Sequence, residues 1–410
     1  MSKAPSKHKR KRVNVRRPDV MEKVQAEVQL HYRSPIIEKL RERGGTLTIG
    51  NTTLRLARKF GFCYGVERAI DLAYAARRVF TDNHIFLIGE IIHNPEVNRQ
   101  LEEMGIVSLP WKKMDERYDA LTEDDVVLVP AFGAPTTFMH KIENAGCYVI
   151  DTTCGDVMKV WRRVRTYAKS GATSIIHGKK GHEETRATAS RAQDENQEGH
   201  YLVVLTLEEA DYICDYIRHG GNHDEFLTRF ESATSDGFNP DLHLKELGVA
   251  NQTTMLKSET EEIQRRISAA VSDRDGSSER FQVFDTICGA TQERQDALFE
   301  MLRAPPLDIL LVVGGYNSSN TSHLVEIGQE QLPTFFIRDA SCLASLEKIA
   351  NYDLKTKEEI ESDYPSKLFD EGPVVLGVTA GASCPANLIE ATILRAFELR
   401  GIKRSDVLAA

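Results

Sequence analysis

The chain has 410 residues, 41% of them hydrophobic and 28% charged, which is apolar material for about three globular domains and too much for a disordered chain. Its net charge of −9 is unevenly spread: Met1 to Val20 holds eight Lys/Arg and one acid, so the other 390 residues carry −16, the opposite of a folded nucleic-acid-binding stripe. No run approaches the ~18 apolar residues of a membrane span, and the basic, polar start lacks the apolar stretch of a secretory signal; a cytoplasmic protein is expected, ahead of a plastid one.

In chain order, the basic arm predicts a solvated tail and Met21 to Arg43 a charged helical lead-in, so that residues 1–50 stand apart from the body. Short Val/Ile/Leu runs then alternate with longer amphipathic stretches. His84 to Gly89, Val126 to Val129, Tyr148 to Ile150, Thr173 to His177, Leu202 to Leu205, Leu307 to Val313 and Val374 to Val378 read as buried strands of parallel sheets with helices between them. The class is α/β, built from several small sheets. Ile217 to Leu242, rich in His, Gly, Asp and Asn, and Asn351 to Gly372, dense in acids and lysines, look like insertions and read as exposed loops or surface helices.

One internal repeat organises the chemistry. Val149-Ile150-Asp151-Thr152-Thr153-Cys154-Gly155 and Val283-Phe284-Asp285-Thr286-Ile287-Cys288-Gly289 each run from a strand into a helix, and Phe62-Cys63-Tyr64-Gly65 is a looser third copy. A cysteine just before a helix N-terminus is favoured as thiolate by the helix dipole and the free N–H groups, and strand ends are where ligands gather in open parallel sheets. Three such thiolates, if they converge, suit either a 4Fe-4S cluster with one iron left open or a zinc ion needing a fourth ligand. The absence of any Cys-x2-Cys pair favours the cluster, while three unrelated buried cysteines remain the bland reading. Cys147, Cys214, Cys342 and Cys384 lack the Cys-Gly-helix setting and read as core.

Further strand ends carry anion-binding chemistry. Gly314-Gly315-Tyr316-Asn317-Ser318-Ser319-Asn320-Thr321 supplies more cap-type donors than one helix cap needs, and Thr379-Ala380-Gly381-Ala382-Ser383-Cys384-Pro385 places Ser383 near a second cap. His93 follows one strand in Glu90-Ile91-Ile92-His93-Asn94-Pro95, and His182 follows another in His177-Gly178-Lys179-Lys180-Gly181-His182-Glu183-Glu184. A cation about 4 Å from a phosphate charge is worth roughly 4 kcal/mol at an effective dielectric near 20, against about 0.3 to 1 kcal/mol for a helix terminus. Protonated histidines would therefore carry more of the attraction, with Ser and Asn fixing orientation.

These motifs, in this order, resemble the 4-hydroxy-3-methylbut-2-enyl diphosphate reductases from about Leu54 to Leu399: Gly61-Phe62-Cys63-Tyr64-Gly65-Val66, His93-Asn94, Asp151-Thr152-Thr153-Cys154, Gly181-His182-Glu183-Glu184, Gln252-Thr253-Thr254, Cys288-Gly289-Ala290-Thr291, Asn317-Ser318-Ser319-Asn320 and Thr379-Ala380-Gly381-Ala382-Ser383. The resemblance implies three pseudo-symmetric α/β units in a trefoil around one 4Fe-4S cluster held by Cys63, Cys154 and Cys288. The units would be residues 51–153, with 384–410 packing back on them, then 154–287 and 288–383. It implies His93, His182, Ser318, Ser319, Asn320 and Ser383 as diphosphate contacts, Glu184 as proton donor, and Thr253 beside both the substrate oxygen and Glu184. The implied reaction is two-electron reductive dehydroxylation to isopentenyl and dimethylallyl diphosphate, the final step of the non-mevalonate isoprenoid pathway. An external one-electron donor such as ferredoxin or flavodoxin is implied, and no nucleic-acid or membrane partner. Where many members carry His-Gly after a strand, this chain reads Pro130-Ala131-Phe132-Gly133; Phe132 cannot donate to a phosphate, and this version is similar to the plant and cyanobacterial branch. The alternative to weigh is a zinc-held structural or regulatory protein without redox activity.

Overall fold

The computed structural model describes residues 13–193, 199–284, 286–365 and 372–409. The first twelve residues of the basic arm, Asp285 of the Cys288 repeat and residues 366–371 of the second insertion lie outside the described residues. The lead-in forms two helices, Pro18–Tyr32 and Pro35–Glu42, the second capped by the Ser34 side chain, which accepts from the N–H of Ile37. Strands follow as β1 (Thr46–Ile49), β2 (Thr52–Leu56), β3 (Ile85–Ile88), β4 (Ile106–Leu109), β5 (Val126–Val129), β6 (Tyr148–Asp151), β7 (Thr173–His177), β8 (Tyr201–Val204), β9 (Leu247–Asn251), β10 (Phe281–Val283), β11 (Ile309–Val313), β12 (Thr334–Ile337), β13 (Lys348–Asp353), β14 (Glu358–Asp363) and β15 (Val374–Ala380). Among the described residues, no helix is long and apolar enough to cross a membrane.

The chain divides into two compact units. One comprises Met1–Val15, Ala76–Ile91 and Leu101–Cys288 and holds two four-stranded, wholly parallel sheets, ordered β4-β3-β5-β6 and β10-β9-β7-β8. β5 and β7 are buried along their whole length, as continuous apolar runs in parallel sheets must be. In each sheet the strand order reverses once, between β3 and β5 and between β7 and β9. At such a point the connections leave on opposite sides and a crevice opens beyond the carboxyl ends. The crevice at β7 and β9 is therefore lined by the segments that carry Glu184 and Thr253.

The other unit, Arg16–Ala75, Ile92–Gln100 and Gly289–Ala410, holds the sheet β1-β2-β15-β11-β12, parallel except for the edge hairpin of β1 with β2. Its reversal lies between β11 and β15, the strands that lead to Ser318 and Ser383. β2 pairs with β15, setting Leu54 opposite Leu376, and the helix Ala386–Leu399 buries Ile389, Ile393 and Phe397 in the same core as Leu54 and Leu376. The carboxyl-terminal segment thus packs on the sheet of β11 and β15, to which residues 52–56 also belong.

Both insertions carry more structure than their polarity suggests. Ile217 to Leu242 includes the helices His223–Arg229 and Pro240–His243, and Phe226, Phe230 and Phe238 anchor it in the core beneath β7 to β9. Within Asn351 to Gly372, the described part is neither loop nor helix: β14 pairs antiparallel with β13, from Lys348 opposite Asp363 to Asp353 opposite Glu358.

Candidate active site

The three cysteines of the repeat share one local geometry. Cys63 immediately precedes the helix Tyr64–Val79, Cys154 is the N-cap of Gly155–Lys169, and Cys288 immediately precedes Gly289–Arg303. All three are half-buried, whereas Cys147, Cys214, Cys342 and Cys384 are buried, and none of the seven is in a disulfide. Burial pushes the Cys214 thiol up to about 11 and raises that of Cys384, which suits inert core residues.

Backbone hydrogen bonds fix each cysteine. The Cys154 N–H donates to the Ala131 carbonyl at 2.7 Å, and the preceding turn is closed by Asp151, which accepts from the N–H and hydroxyl of Thr153 at 3.0 and 2.5 Å. The Cys63 N–H donates to the Ala382 carbonyl at 3.2 Å, and the Cys288 N–H to the Thr253 carbonyl at 3.3 Å.

In the first unit, Cys288, Thr253, Glu184 and His182 form one hydrogen-bonded chain. Besides receiving the Cys288 N–H on its carbonyl, Thr253 donates its N–H to Oε1 of Glu184 at 2.6 Å and its hydroxyl to Oε2 at 3.0 Å. Glu184 is 3% exposed and Thr253 5% exposed. The Glu184 N–H in turn donates to Nδ1 of His182 at 3.1 Å, which makes His182 the cap of the helix Glu183–Ala189. Gln252 braces the same loop: its Oε1 accepts from the Lys179 N–H at 3.2 Å and from the Thr185 hydroxyl at 3.0 Å. Phe132 sets its ring edge-on to His182 at 6.3 Å and so places an apolar wall against the imidazole.

Nδ1 of His182 is engaged as the acceptor of the Glu184 N–H, which leaves Nε2 as the ring atom free to face a ligand.

In the second unit, the anion-binding candidates come together at the β11/β15 reversal. Ser318 caps the helix Ser319–Gln329, accepting the Thr321 N–H at 3.4 Å, and Ser318, Ser319, Asn320 and Ser383 are all buried. Asn320 Oδ1 accepts from the Ala382 N–H at 2.9 Å, and Ser383 Oγ donates to the His93 carbonyl at 3.1 Å. Among the described residues the Asn320 Nδ2 and Thr321 Oγ1 atoms are buried without a hydrogen-bond partner. A buried N–H with nothing to bond costs about 1–3 kcal/mol, so this cradle is arranged for an acceptor. Gly315 lies against His93: a Cβ there would stand 2.3 Å from the His93 carbonyl oxygen, which only glycine avoids.

Sequence reasoning missed Arg294. It is 4% exposed on the helix after Cys288, and its guanidinium donates to the carbonyls of Ala290 and Gly61, tying that helix to the loop that carries Cys63. The signal was present, since Arg294 sits with Thr291, Leu298 and Met301 on the buried face of the helix. The pair Trp161 and Arg191 was also missed. The Arg191 guanidinium lies 3.6 Å over the Trp161 ring, and Cys154 packs against the small cluster containing Trp161.

The family described as LytB protein matches residues 54–396. The 4-hydroxy-3-methylbut-2-enyl diphosphate reductase of Gloeobacter violaceus is 45% identical over 395 residues, covering 94% of this chain and 92% of its own, and that of a Synechococcus strain is 45% identical over 373 residues, covering 90% and 91%. A solved structure titled as (E)-4-hydroxy-3-methyl-but-2-enyl diphosphate reductase, the terminal enzyme of the non-mevalonate pathway, is 26% identical with a TM-score of 0.51, covering 84% of this chain and 99% of that one. The reductase from Plasmodium falciparum, 20% identical with a TM-score of 0.61 and coverage of 86% and 90%, shares the fold. These relatives favour a reductase over a zinc-held structural protein, and the cyanobacterial ones agree with the branch suggested by Phe132. The chain belongs to the LytB family of 4-hydroxy-3-methylbut-2-enyl diphosphate reductases.

Proposed function

We propose that the chain converts 4-hydroxy-3-methylbut-2-enyl diphosphate to isopentenyl and dimethylallyl diphosphate, using one 4Fe-4S cluster ligated by Cys63, Cys154 and Cys288. The observation that carries this reading is the hydrogen-bonded chain Cys288–Thr253–Glu184–His182, which ties a candidate cluster ligand to a buried carboxyl group through one residue, Thr253. The donor set fits such a cluster: three half-buried thiols, each at the mouth of a helix and none in a disulfide. When bound, the cluster supplies electrons one at a time and an open iron that acts as Lewis acid on the substrate hydroxyl.

The overall change consumes two electrons and two protons. One proton leaves with the hydroxyl as water and the other ends on the allylic carbon skeleton. Glu184 is the residue assigned to deliver a proton: the Thr253 hydroxyl donates to its carboxylate, and once Glu184 is protonated that bond would reverse, so that Thr253 accepts from Glu184 and donates onward to the oxygen. Asn320, Ser318, Ser319 and Ser383 orient the diphosphate with His93, and His182 adds one N–H donor. Phe132 keeps the neighbourhood of His182 apolar, which strengthens the hydrogen bonds made there.

An external one-electron donor of the ferredoxin or flavodoxin kind would supply the electrons in succession, and a reducing cytoplasm fits seven cysteines without a disulfide. Metal and sulfide analysis after anaerobic purification tests the reading. About four iron and four sulfide per chain are expected; about one zinc and no sulfide would overturn it.

A further inference from the structure

The loop that follows β11 begins Gly314-Gly315 and so has little conformational restraint of its own before Ser318. It is held from two sides. On one, Gly315 lies against the His93 backbone. On the other, the Tyr316 ring stacks on Tyr352 of β13 with centroids 4.6 Å apart and planes 18° from parallel, and meets the edge of Phe336 at 5.1 Å. The Tyr316 hydroxyl donates to Oε2 of Glu359 on β14 at 2.6 Å, and the same oxygen accepts from Arg338 Nη1 at 2.6 Å. Burial, and then the bond to Glu359, raise the pKa of the phenol well above its ordinary value, so it stays a donor.

We propose that the hairpin β13–β14 positions the diphosphate cradle: Tyr352 and Glu359 clamp Tyr316, and through it fix where Ser318, Ser319 and Asn320 present their donors. Tyr316, Tyr352 and Glu359 are positioning residues and touch no substrate. Without the clamp the glycine-led loop samples more conformations, and the ordering lost at binding appears as weaker affinity for the diphosphate, with the proton-delivering side unaffected. This inference rests on the cradle assignment made above.

The test uses the anaerobically purified holoenzyme with a chemical reductant, inorganic diphosphate as competitive probe, and the variants Glu359→Ala, Glu359→Gln and Tyr352→Leu, with Ser318→Ala as a control on the cradle. Glu359→Ala and Tyr352→Leu should raise KM and the inhibition constant of inorganic diphosphate together, each about tenfold, with kcat within about twofold of the parent. Glu359→Gln keeps an acceptor oxygen for the phenol and should restore parental values, which a merely destabilised hairpin would not. Glu359 is one-third exposed, so its variants test the clamp even if Tyr352→Leu misfolds. If Ser318→Ala weakens inorganic diphosphate and Glu359→Ala does not, the clamp is refuted while the cradle stands. If Ser318→Ala leaves KM and the inhibition constant unchanged, the cradle assignment fails and the inference fails with it. A fall in kcat at constant KM in Glu359→Ala also overturns it.

Discussion

Thr253→Val keeps the side-chain volume and removes one hydrogen bond, from Oγ1 to Oε2 of Glu184 at 3.0 Å. Both residues are buried, so bulk water does not replace the donor, and a hydrogen bond to a carboxylate in such surroundings is worth about 1.5–3 kcal/mol. The Thr253 N–H still holds Oε1 at 2.6 Å, so the carboxyl group reorients within its place and is not expelled. If the hydroxyl only orients Glu184, that energy translates to a loss of about ten- to a hundredfold in turnover. If it also passes the proton, the loss moves into the range of about 10²–10⁴ typical of general acid–base catalysis. The assay is anaerobic steady-state turnover with a chemical reductant, with iron measured on the same sample, and Thr253→Ser as the variant that retains the hydroxyl and most of the rate. Turnover of Thr253→Val within twofold of the parent, at equal iron content, would refute the Glu184–Thr253 pair as the proton-delivering unit.

Glu184→Gln keeps the shape and one acceptor but no proton to give, and should lower turnover by about 10²–10⁴ while iron content stays parental; unchanged turnover removes Glu184 as the essential donor. Ala at Cys63, Cys154 or Cys288 should abolish iron and sulfide binding, whereas Cys214→Ala, which empties a core position, should leave both intact. Gly133→Ala puts a Cβ within 2.3 Å of the Trp161 ring at a residue with φ of 80°, and should cost about 2–5 kcal/mol by urea denaturation from the left-handed strain and overpacking combined. A loss under about 0.5 kcal/mol, the size of an ordinary surface substitution, counts against that contact. His200 and His243 stack with ring centroids 3.5 Å apart; burial lowers the pKa of both, and His200 lowers that of His243 further. The unfolded chain therefore binds protons that the folded one resists, so stability is full above the unfolded value of about 6.5 and falls as the pH drops below it. Urea midpoints from pH 7.5 to 5 should show this slope, and His243→Phe should flatten it.

Much of the site was legible because its chemistry is written in runs: a cysteine between a strand and a helix, three cap-type residues where one suffices, a histidine two residues before an acid. The fold was legible where strands are continuous apolar runs, as at β5, β7 and β11. It was hidden where a strand carries a residue that normally breaks one. β9 does not read as a strand because Gly248 interrupts its apolar run; the glycine is there because the Tyr167 ring lies 2.5 Å from where its Cβ would be. The hairpin β13–β14 reads as an exposed loop or surface helix because four of the six residues of β14 are acidic; what stabilises it is pairing and the aromatic stack on Tyr316, neither of which has a local signature. The Phe226, Phe230 and Phe238 anchors were likewise masked by the polar residues around them.

The attraction for the diphosphate also has to be reapportioned. A protonated histidine beside a phosphate would contribute roughly 4 kcal/mol, whereas a ring that keeps the Glu184 N–H on Nδ1, as His182 does, would offer the diphosphate a single N–H from Nε2. What it contributes is one directed hydrogen bond, about 0.5–1.5 kcal/mol. His182→Asn retains a side-chain acceptor suited to the cap and loses the Nε2 donor. Its KM should rise by at most about tenfold, and, because no charge has been removed, the dependence of KM on ionic strength should keep the parental slope. A clearly shallower slope in His182→Asn would mean that the substitution had taken away a cation, and that the cap geometry yields to an imidazolium once the diphosphate is bound.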